Sequence, residues 1–222
     1  MALNQLLALL LVLLSCLFVW RDVVQVLIPK LTNERTFQHT TFAVSFAFYL
    51  LWSADAGIKE GLSIHLLGLT VLTLMYGWRS AYAIAIVVAL LMAIFDELSF
   101  YQLPEFVLLS CLIPILTSYL LFVASYRFLP RNIFVFIFIA GFLNGVVTGT
   151  FHLVINSYYL LLISDYDWVT IFDNYLVFTP LLAFPEGLLN GMTVAMLTVF
   201  KPELLLVFSD RDYIYNHYHQ DK

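Results

Sequence analysis

Long apolar runs separated by short polar segments dominate the pattern along this 222-residue chain. A helix needs about 20 apolar residues to cross the hydrocarbon layer of a bilayer, which is roughly 30 Å thick. On that measure the pattern predicts helices near residues 3–20, 37–53, 62–78, 80–95, 105–127, 132–158 and 174–200. The third and fourth are short and are separated only around Trp78-Arg79-Ser80. We therefore predict an all-α polytopic membrane helix bundle of about seven spans, forming one integral-membrane domain over residues 1–222.

The composition supports this class of protein. Hydrophobic residues make up 62% of the chain and charged residues 11%, whereas soluble domains have about 45–50% apolar and about 25% charged residues. A soluble fold of this size could not bury so many apolar side chains, so we expect a multi-pass protein of the cell inner (plasma) membrane. We expect no nucleic-acid partner. The sequence has no GxxxxGK[ST] motif, so any ATP-driven step would require a separate polypeptide.

Basic residues provide a test of the topology, because Lys and Arg accumulate on the cytoplasmic side of membrane proteins. With seven spans, Lys59 is the only basic residue on one face. The opposite face carries Arg21, Lys30, Arg35, Arg79, Arg127, Arg131, Lys201, Arg211 and Lys222. This asymmetry predicts an external N-terminus and a cytoplasmic C-terminus.

Acidic residues have the opposite distribution. The predicted outer face carries Asp55, Glu60, Asp96, Glu97, Glu105, Asp165, Asp167 and Asp173. A negative mouth concentrates cations and repels anions, which favours a cationic cargo. Depletion of basic residues by the positive-inside rule alone would also leave acids on this face, so both explanations stay open.

Two histidines lie inside predicted spans, where an unpaired ionisable group is costly. His65 in "GLSIHLLGLT" and His152 in "GTFHLVIN" fall roughly 6 and 9 Å below the outer edge at the helical rise per residue. Neutral imidazole is the commonest metal ligand in proteins, and cobalt, nickel, zinc and copper all accept it. We therefore predict that His65 and His152 bind a metal. Two alternatives to metal binding stay open. Either each ring only forms a hydrogen bond with a backbone carbonyl or a hydroxyl, or the two rings are the axial ligands of haem in a redox membrane protein.

Glu186 in "FPEGLLNGM" is the third ionisable group inside a predicted span. The flanking proline and glycine make the helix irregular there, and irregular backbone at that depth must face protein or water. Glu186 is either a structural group, hydrogen-bonded to Asn190 or Asn144, or part of a candidate cation pathway with Asn190, Asn144 and Asp55. A membrane hydrolase built on Glu186 and His152 has no support, because no HExxH, GxSG or paired-Asp pattern is present.

Small residues recur every four positions in "AGFLNGVVTGT". This spacing places Gly141, Gly145 and Gly149 on one face of the sixth predicted helix. Such a face lets a neighbouring helix approach closely, so we predict helix packing along it.

Several segments resemble the CbiM/NikM family, the membrane substrate-binding subunits of cobalt and nickel energy-coupling-factor (ECF) ABC transporters. They are "GLSIHLLGLTVLTLMYGWRSA", "EFVLLSCLIPILTSYLLFVASYRFLP", "IAGFLNGVVTG" and "FPEGLLNGMTVAML", within residues 37–205. The resemblance implies a non-enzymatic, seven-helix permease subunit that captures a divalent transition metal as cargo. It also implies separate ATPase subunits and a transmembrane coupling subunit as partners, and it matches His65 to the family's ligating histidine.

The beginning of the chain departs from the family pattern. That family begins Met-His-Ile-Pro-Asp-Gly, and the terminal amine and second-residue histidine complete a square-planar metal site. This sequence begins "MALNQLL", so it resembles a divergent member of the family that lacks the Met-His motif. We expect His152 to substitute for those ligands and no covalently bound cofactor. A non-transporting accessory subunit is the remaining alternative.

Overall fold

The computed structural model describes residues 3–57, 62–164 and 166–213, and helices form most of these ranges. The α-helices are α1 (Leu3–Asp22), α2 (Ile28–Asn33), α3 (Arg35–Ser53), α4 (Leu69–Ile94), α5 (Leu103–Phe106), α6 (Ile113–Phe128), α7 (Ile133–Val135), α8 (Asn144–Ile163), α9 (Trp168–Asn174), α10 (Thr179–Phe200) and α11 (Asp210–Tyr213). Strands β1 (Ala56–Gly57) and β2 (Ser63–Ile64) form a short antiparallel pair between α3 and α4.

Several helices are continuous through turns of a different helical type. The π-helical segments Val23–Leu27, Val107–Leu112 and Phe136–Leu143 join α1 to α2, α5 to α6 and α7 to α8. The 3-10 turns are Leu176–Phe178, which leads into α10, and Pro202–Leu204, which follows it. Because π turns widen the helix without ending it, the predicted first helix extends from residue 20 to Asn33.

The described part of the chain contains five helical stretches that are long and apolar enough to cross a membrane. They are Asn4–Asn33, Leu69–Ile94, Leu103–Phe128, Ile133–Ile163 and Trp168–Phe200. Large apolar side chains such as Leu17, Phe18 and Leu162 point outward and are mostly exposed, as expected where lipid covers the surface. The prediction of an all-α membrane bundle is confirmed, while the number of spans and their orientation stay predictions.

The predicted boundaries of the third and fourth helices are wrong. Residues 62–68 form β2 and a loop, and one element, α4, then runs from Leu69 to Ile94. The break in α4 is at Gly77, which has a φ of 72° and a ψ of 155°, and not at residues 78–80. A positive φ is accessible to glycine at little steric cost, so α4 continues past the break as a bent helix.

The C-terminal segment pairs with the backbone that this break exposes. Leu206 N donates to Met75 O at 3.2 Å, and Val207 N donates to Leu74 O at 3.4 Å. In an unbroken helix these two carbonyls would accept from residues 78 and 79. The segment after α10 therefore acts as a strap across the bend of α4.

The glycine face of the sixth predicted helix packs as expected. A Cβ added at Gly145 would lie 3.0 Å from Asn190 Cβ, and one at Gly149 would lie 2.9 Å from Glu186 Cγ. A Cβ at Gly141 would lie 3.1 Å from Val194 Cβ. These contacts bring α10 against the π segment and α8 closely enough to bury Glu186 and Asn190 completely.

Candidate functional site

One cavity of about 770 Å³ lies at the end of the bundle where the β strands meet the start of α5 and the end of α8. Both histidines predicted from the sequence, His65 and His152, line it. Asp55, Glu97 and Glu105 also line it. The cavity therefore gathers residues from distant parts of the chain.

His65 belongs to the loop between β2 and α4, so its predicted position inside a helix is wrong. Its ring stacks on Phe106 with the ring centroids 5.7 Å apart. The Nε2 atom is shielded from solvent and has no hydrogen-bond partner within the described residues. Burial lowers the pKa of His65 to about 4, and the nearby Asp55 carboxylate opposes this shift only in part. The ring is therefore neutral at neutral pH, with a nitrogen available to a ligand.

The loop that carries His65 is held by buried hydrogen bonds. The Trp52 indole N–H donates to Leu67 O at 2.9 Å. Leu67 N and Gly68 N donate to the two carboxyl oxygens of Glu186 at 2.7 and 2.8 Å. Gly68 adopts a φ of 66°, which glycine accommodates without strain. These contacts fix the backbone directly after His65.

His152 lies on α8 and is 3% exposed. Its Nδ1 is 3.3 Å from Leu109 O. The side-chain nitrogen of Asn156, one helical turn later, is 3.2 Å from Nδ1 and 3.0 Å from Nε2. Because a carbonyl oxygen can only accept, Nδ1 carries the proton when it bonds Leu109 O. Nε2 is then the nitrogen whose lone pair could be given to a metal.

The centroids of the His65 and His152 rings are 6.1 Å apart, with an angle of 67° between the ring planes. A metal–nitrogen bond of about 2.0–2.1 Å would place the centroids of two imidazoles on one ion roughly 5–6.5 Å apart. The observed separation fits that range. Across residues 3–57, 62–164 and 166–213, no group of three or more His, Cys, Asp or Glu side chains could hold an ion. The two imidazoles are candidate ligands because their rings lie next to each other, and their role in metal binding stays a prediction.

The electrostatic surroundings favour a cation. Asp55 and Glu97 are exposed and Glu105 is half-buried, and none of the described residues lining the cavity is Lys or Arg. A recess lined by charges of one sign raises the local concentration of the opposite ion. Lys59, Glu60 and Asp165, which also belong to the predicted outer face, lie outside the described residues.

The other predicted pathway residues are not in this cavity. Glu186 accepts from Asn190 Nδ2 at 2.8 Å as well as from the two loop amides, and Asn190 Oδ1 accepts from Val71 N at 2.9 Å. Asn144 instead donates to Ser118 O at 3.0 Å and accepts from Thr148. Of the two hydrogen-bond partners predicted for Glu186, the structure shows Asn190.

Sequence reasoning missed three residues of this site. Trp52, Asn156 and Tyr159 line the cavity, and each follows an apolar stretch without a recognisable motif. The four-residue spacing of His152 and Asn156 places them on one helix face and was the available signal. The contact between Trp52 and Leu67 depends on tertiary packing, so no local pattern could have indicated it.

Comparison with known protein families gives a match over most of the chain. The family model for the cobalt uptake substrate-specific transmembrane region, CbiM, covers residues 2–204, a wider stretch than the predicted 37–205. No curated protein matches the chain, and no solved structure matches it. Because the match covers most of the chain, the protein belongs to the CbiM family of cobalt-uptake transmembrane proteins.

Proposed function

We propose that this chain is the membrane subunit of an ECF-type transporter that captures a divalent transition metal ion, cobalt or nickel in character. The observation that carries the proposal is the convergence of the His65 and His152 rings, 6.1 Å apart, in one cavity with three carboxylates. Imidazole binds cobalt and nickel well, and neither ion requires sulfur. Membership of the CbiM family supports the same class of cargo.

Each group has a defined task in this proposal. Asp55 and Glu97, which are exposed, attract the hydrated cation. His65 Nε2 has no partner to give up, so it takes the ion first. His152 follows when the amide of Asn156 moves aside from Nε2. In this account, Glu186 and Asn190 position the His65 loop rather than bind the ion.

Release of the ion requires partners. The chain carries no P-loop, so we infer separate ATPase subunits and a transmembrane coupling subunit, as for the family. With the predicted topology the cavity opens to the outside, and the cargo is imported. The lipid bilayer surrounds the exposed apolar faces of the bundle.

Calorimetric titration of the purified full chain with nickel, cobalt, zinc and copper tests the proposal. We expect His65→Ala to abolish high-affinity binding and His152→Ala to weaken it about tenfold or more, which is 1.4 kcal/mol or more. His39→Ala is the matched control, because His39 is an exposed histidine of α3 that does not line the cavity. Binding of none of the four metals by the wild type, or equal losses in all three variants, would show that the proposal is wrong.

A further inference from the structure

We propose that the cargo enters this site as a divalent metal that carries one amino-acid-sized chelator with nitrogen and oxygen donors. The inference rests on the proposed function and specifies its substrate class. The complex has a net charge of +1, because the amino-acid anion neutralises one charge of the metal. Its organic part occupies the cavity beside the two imidazoles.

The first support is the small number of protein ligands. Cobalt, nickel, copper and zinc take about four to six ligands in proteins. Among the described residues, the cavity brings only His65 and His152 within reach of one ion, and no third His, Cys, Asp or Glu completes a group. With these two ligands alone, two or more coordination positions of the ion stay open, and donors that the cargo brings with it would fill them.

The second support is the size of the cavity. A hydrated ion with about six waters and no organic ligand occupies roughly 200 Å³, at about 30 Å³ for each water. The cavity measures about 770 Å³, which is in the range of small-molecule pockets, about 300–1,000 Å³. The space next to the histidines therefore accommodates an organic ligand of amino-acid size in addition to the ion.

The third support is the chemistry of the walls. Trp52 and Phe106 provide aromatic surface beside His65. The Tyr159 hydroxyl is shielded from solvent and lies beside the Glu105 carboxylate in the wall of the cavity. A carboxylate oxygen of the chelator would accept the proton of this hydroxyl. The acidic side chains that remain at the mouth favour a complex that keeps a positive charge.

The test uses the purified full chain and three probes: nickel chloride, equimolar nickel and L-histidine, and equimolar nickel and EDTA. Binding is followed by calorimetry, and native mass spectrometry counts the metal and chelator on each chain. We expect a complex of one nickel and one histidine per chain, with a Kd no higher than that for nickel alone. EDTA fills the coordination positions of nickel, so the third probe should not bind.

Two tyrosine variants distinguish the contribution of the chelator to binding from that of the metal. Tyr159→Phe should raise the Kd for nickel–histidine about fivefold, the value of one neutral hydrogen bond, and leave the Kd for nickel chloride unchanged. Tyr158→Phe is the matched control, because Tyr158 is the adjacent tyrosine and lies outside the cavity. His65→Ala should abolish binding of both probes.

The outcomes separate this inference from the proposed function. If nickel binds through His65 and the bound species never contains histidine, with binding reduced as histidine sequesters the metal, the inference is overturned and the proposed function stands. If neither nickel chloride nor nickel–histidine binds, the proposed function itself fails. A nickel–histidine complex that depends on both His65 and Tyr159 supports both.

Discussion

The role of Glu186 as a support for the His65 loop makes a quantitative prediction for Glu186→Gln. The two carboxyl oxygens accept from Leu67 N at 2.7 Å and from Gly68 N at 2.8 Å, in a fully buried environment. Glutamine keeps the size of the side chain but replaces one acceptor oxygen with an NH₂ donor. One loop amide then faces a donor, and both groups are left without a partner.

The expected free-energy cost follows from the number of buried polar groups that are left without a partner. Each unsatisfied buried donor costs about 1–3 kcal/mol, so the two together cost about 2–6 kcal/mol before relaxation. Part of this cost lowers the free energy of unfolding, and part favours opening of the loop. A loss of about 1.4 kcal/mol in the free energy that keeps the loop closed lowers the fraction of chains that can bind metal up to tenfold. The apparent Kd for the metal then rises by the same factor.

Two measurements on the full chain check this prediction. Hydrogen exchange of a peptide covering residues 62–72 should accelerate in Glu186→Gln, and calorimetry should show weaker nickel binding. Glu203→Gln is the matched control, since Glu203 is an exposed glutamate in the 3-10 turn after α10. Its exchange and binding should equal those of the wild type.

A second variant protects the test against misfolding. Asn190→Ala removes the acceptor for Val71 N and one donor to Glu186 while it leaves the carboxylate in place. It should produce a smaller change in the same direction. A folded Glu186→Gln protein with unchanged exchange over residues 62–72 and unchanged nickel affinity would refute the reasoning.

The glycine contacts of α8, the bend of α4 and the buried ring of His65 each have a measurable effect on stability. Gly149→Ala should lower the melting temperature, because its Cβ would lie 2.9 Å from Glu186 Cγ and overpacking costs about 1–3 kcal/mol; an unchanged melting curve would contradict the close packing of α8 and α10. Gly77→Ala should also lower the melting temperature, because the φ of Gly77 is 72° and alanine is strained there; an unchanged melting curve would contradict the bend in α4. The pKa of His65 is lowered from 6.5 to about 4 in the folded protein. Between these pH values the unfolded chain binds a proton that the folded protein does not bind, so the free energy of unfolding falls as the pH falls from 6.5 to 4. His65→Ala should show a smaller fall in melting temperature over that range, and an equal fall would indicate that other groups cause it.

Sequence reasoning predicted the class of fold and one important convergence, but not how the chain builds the site. The apolar runs revealed the helical stretches Leu103–Phe128, Ile133–Ile163 and Trp168–Phe200, although the second extends beyond its predicted end at residue 158 and the third begins before residue 174. Counting residues from the ends of the predicted helices placed His65 and His152 at a similar level, and their rings are adjacent in the structure. Hydropathy and helix length are local properties, so they can be read directly from the chain.

The start of α4 could not be predicted in the same way. Residues 62–68 are as apolar as the helix that follows, yet they form a strand and a loop. The competing interaction is the capture of the Leu67 and Gly68 amides by Glu186, which is 118 or more residues away in the chain. The position of Trp52 against Leu67 likewise depends on packing between elements that the chain separates.

The position of Glu186 has a consequence for the electric field in the cavity. The first turn of a helix carries a partial positive charge of roughly half an elementary unit, which would repel a metal ion beside it. α4 begins at Leu69, directly after the loop of His65, and Glu186 accepts from two amides at that end. The carboxyl oxygens face these amides, so the positive end of α4 is partly neutralised and repels a cation beside His65 less strongly.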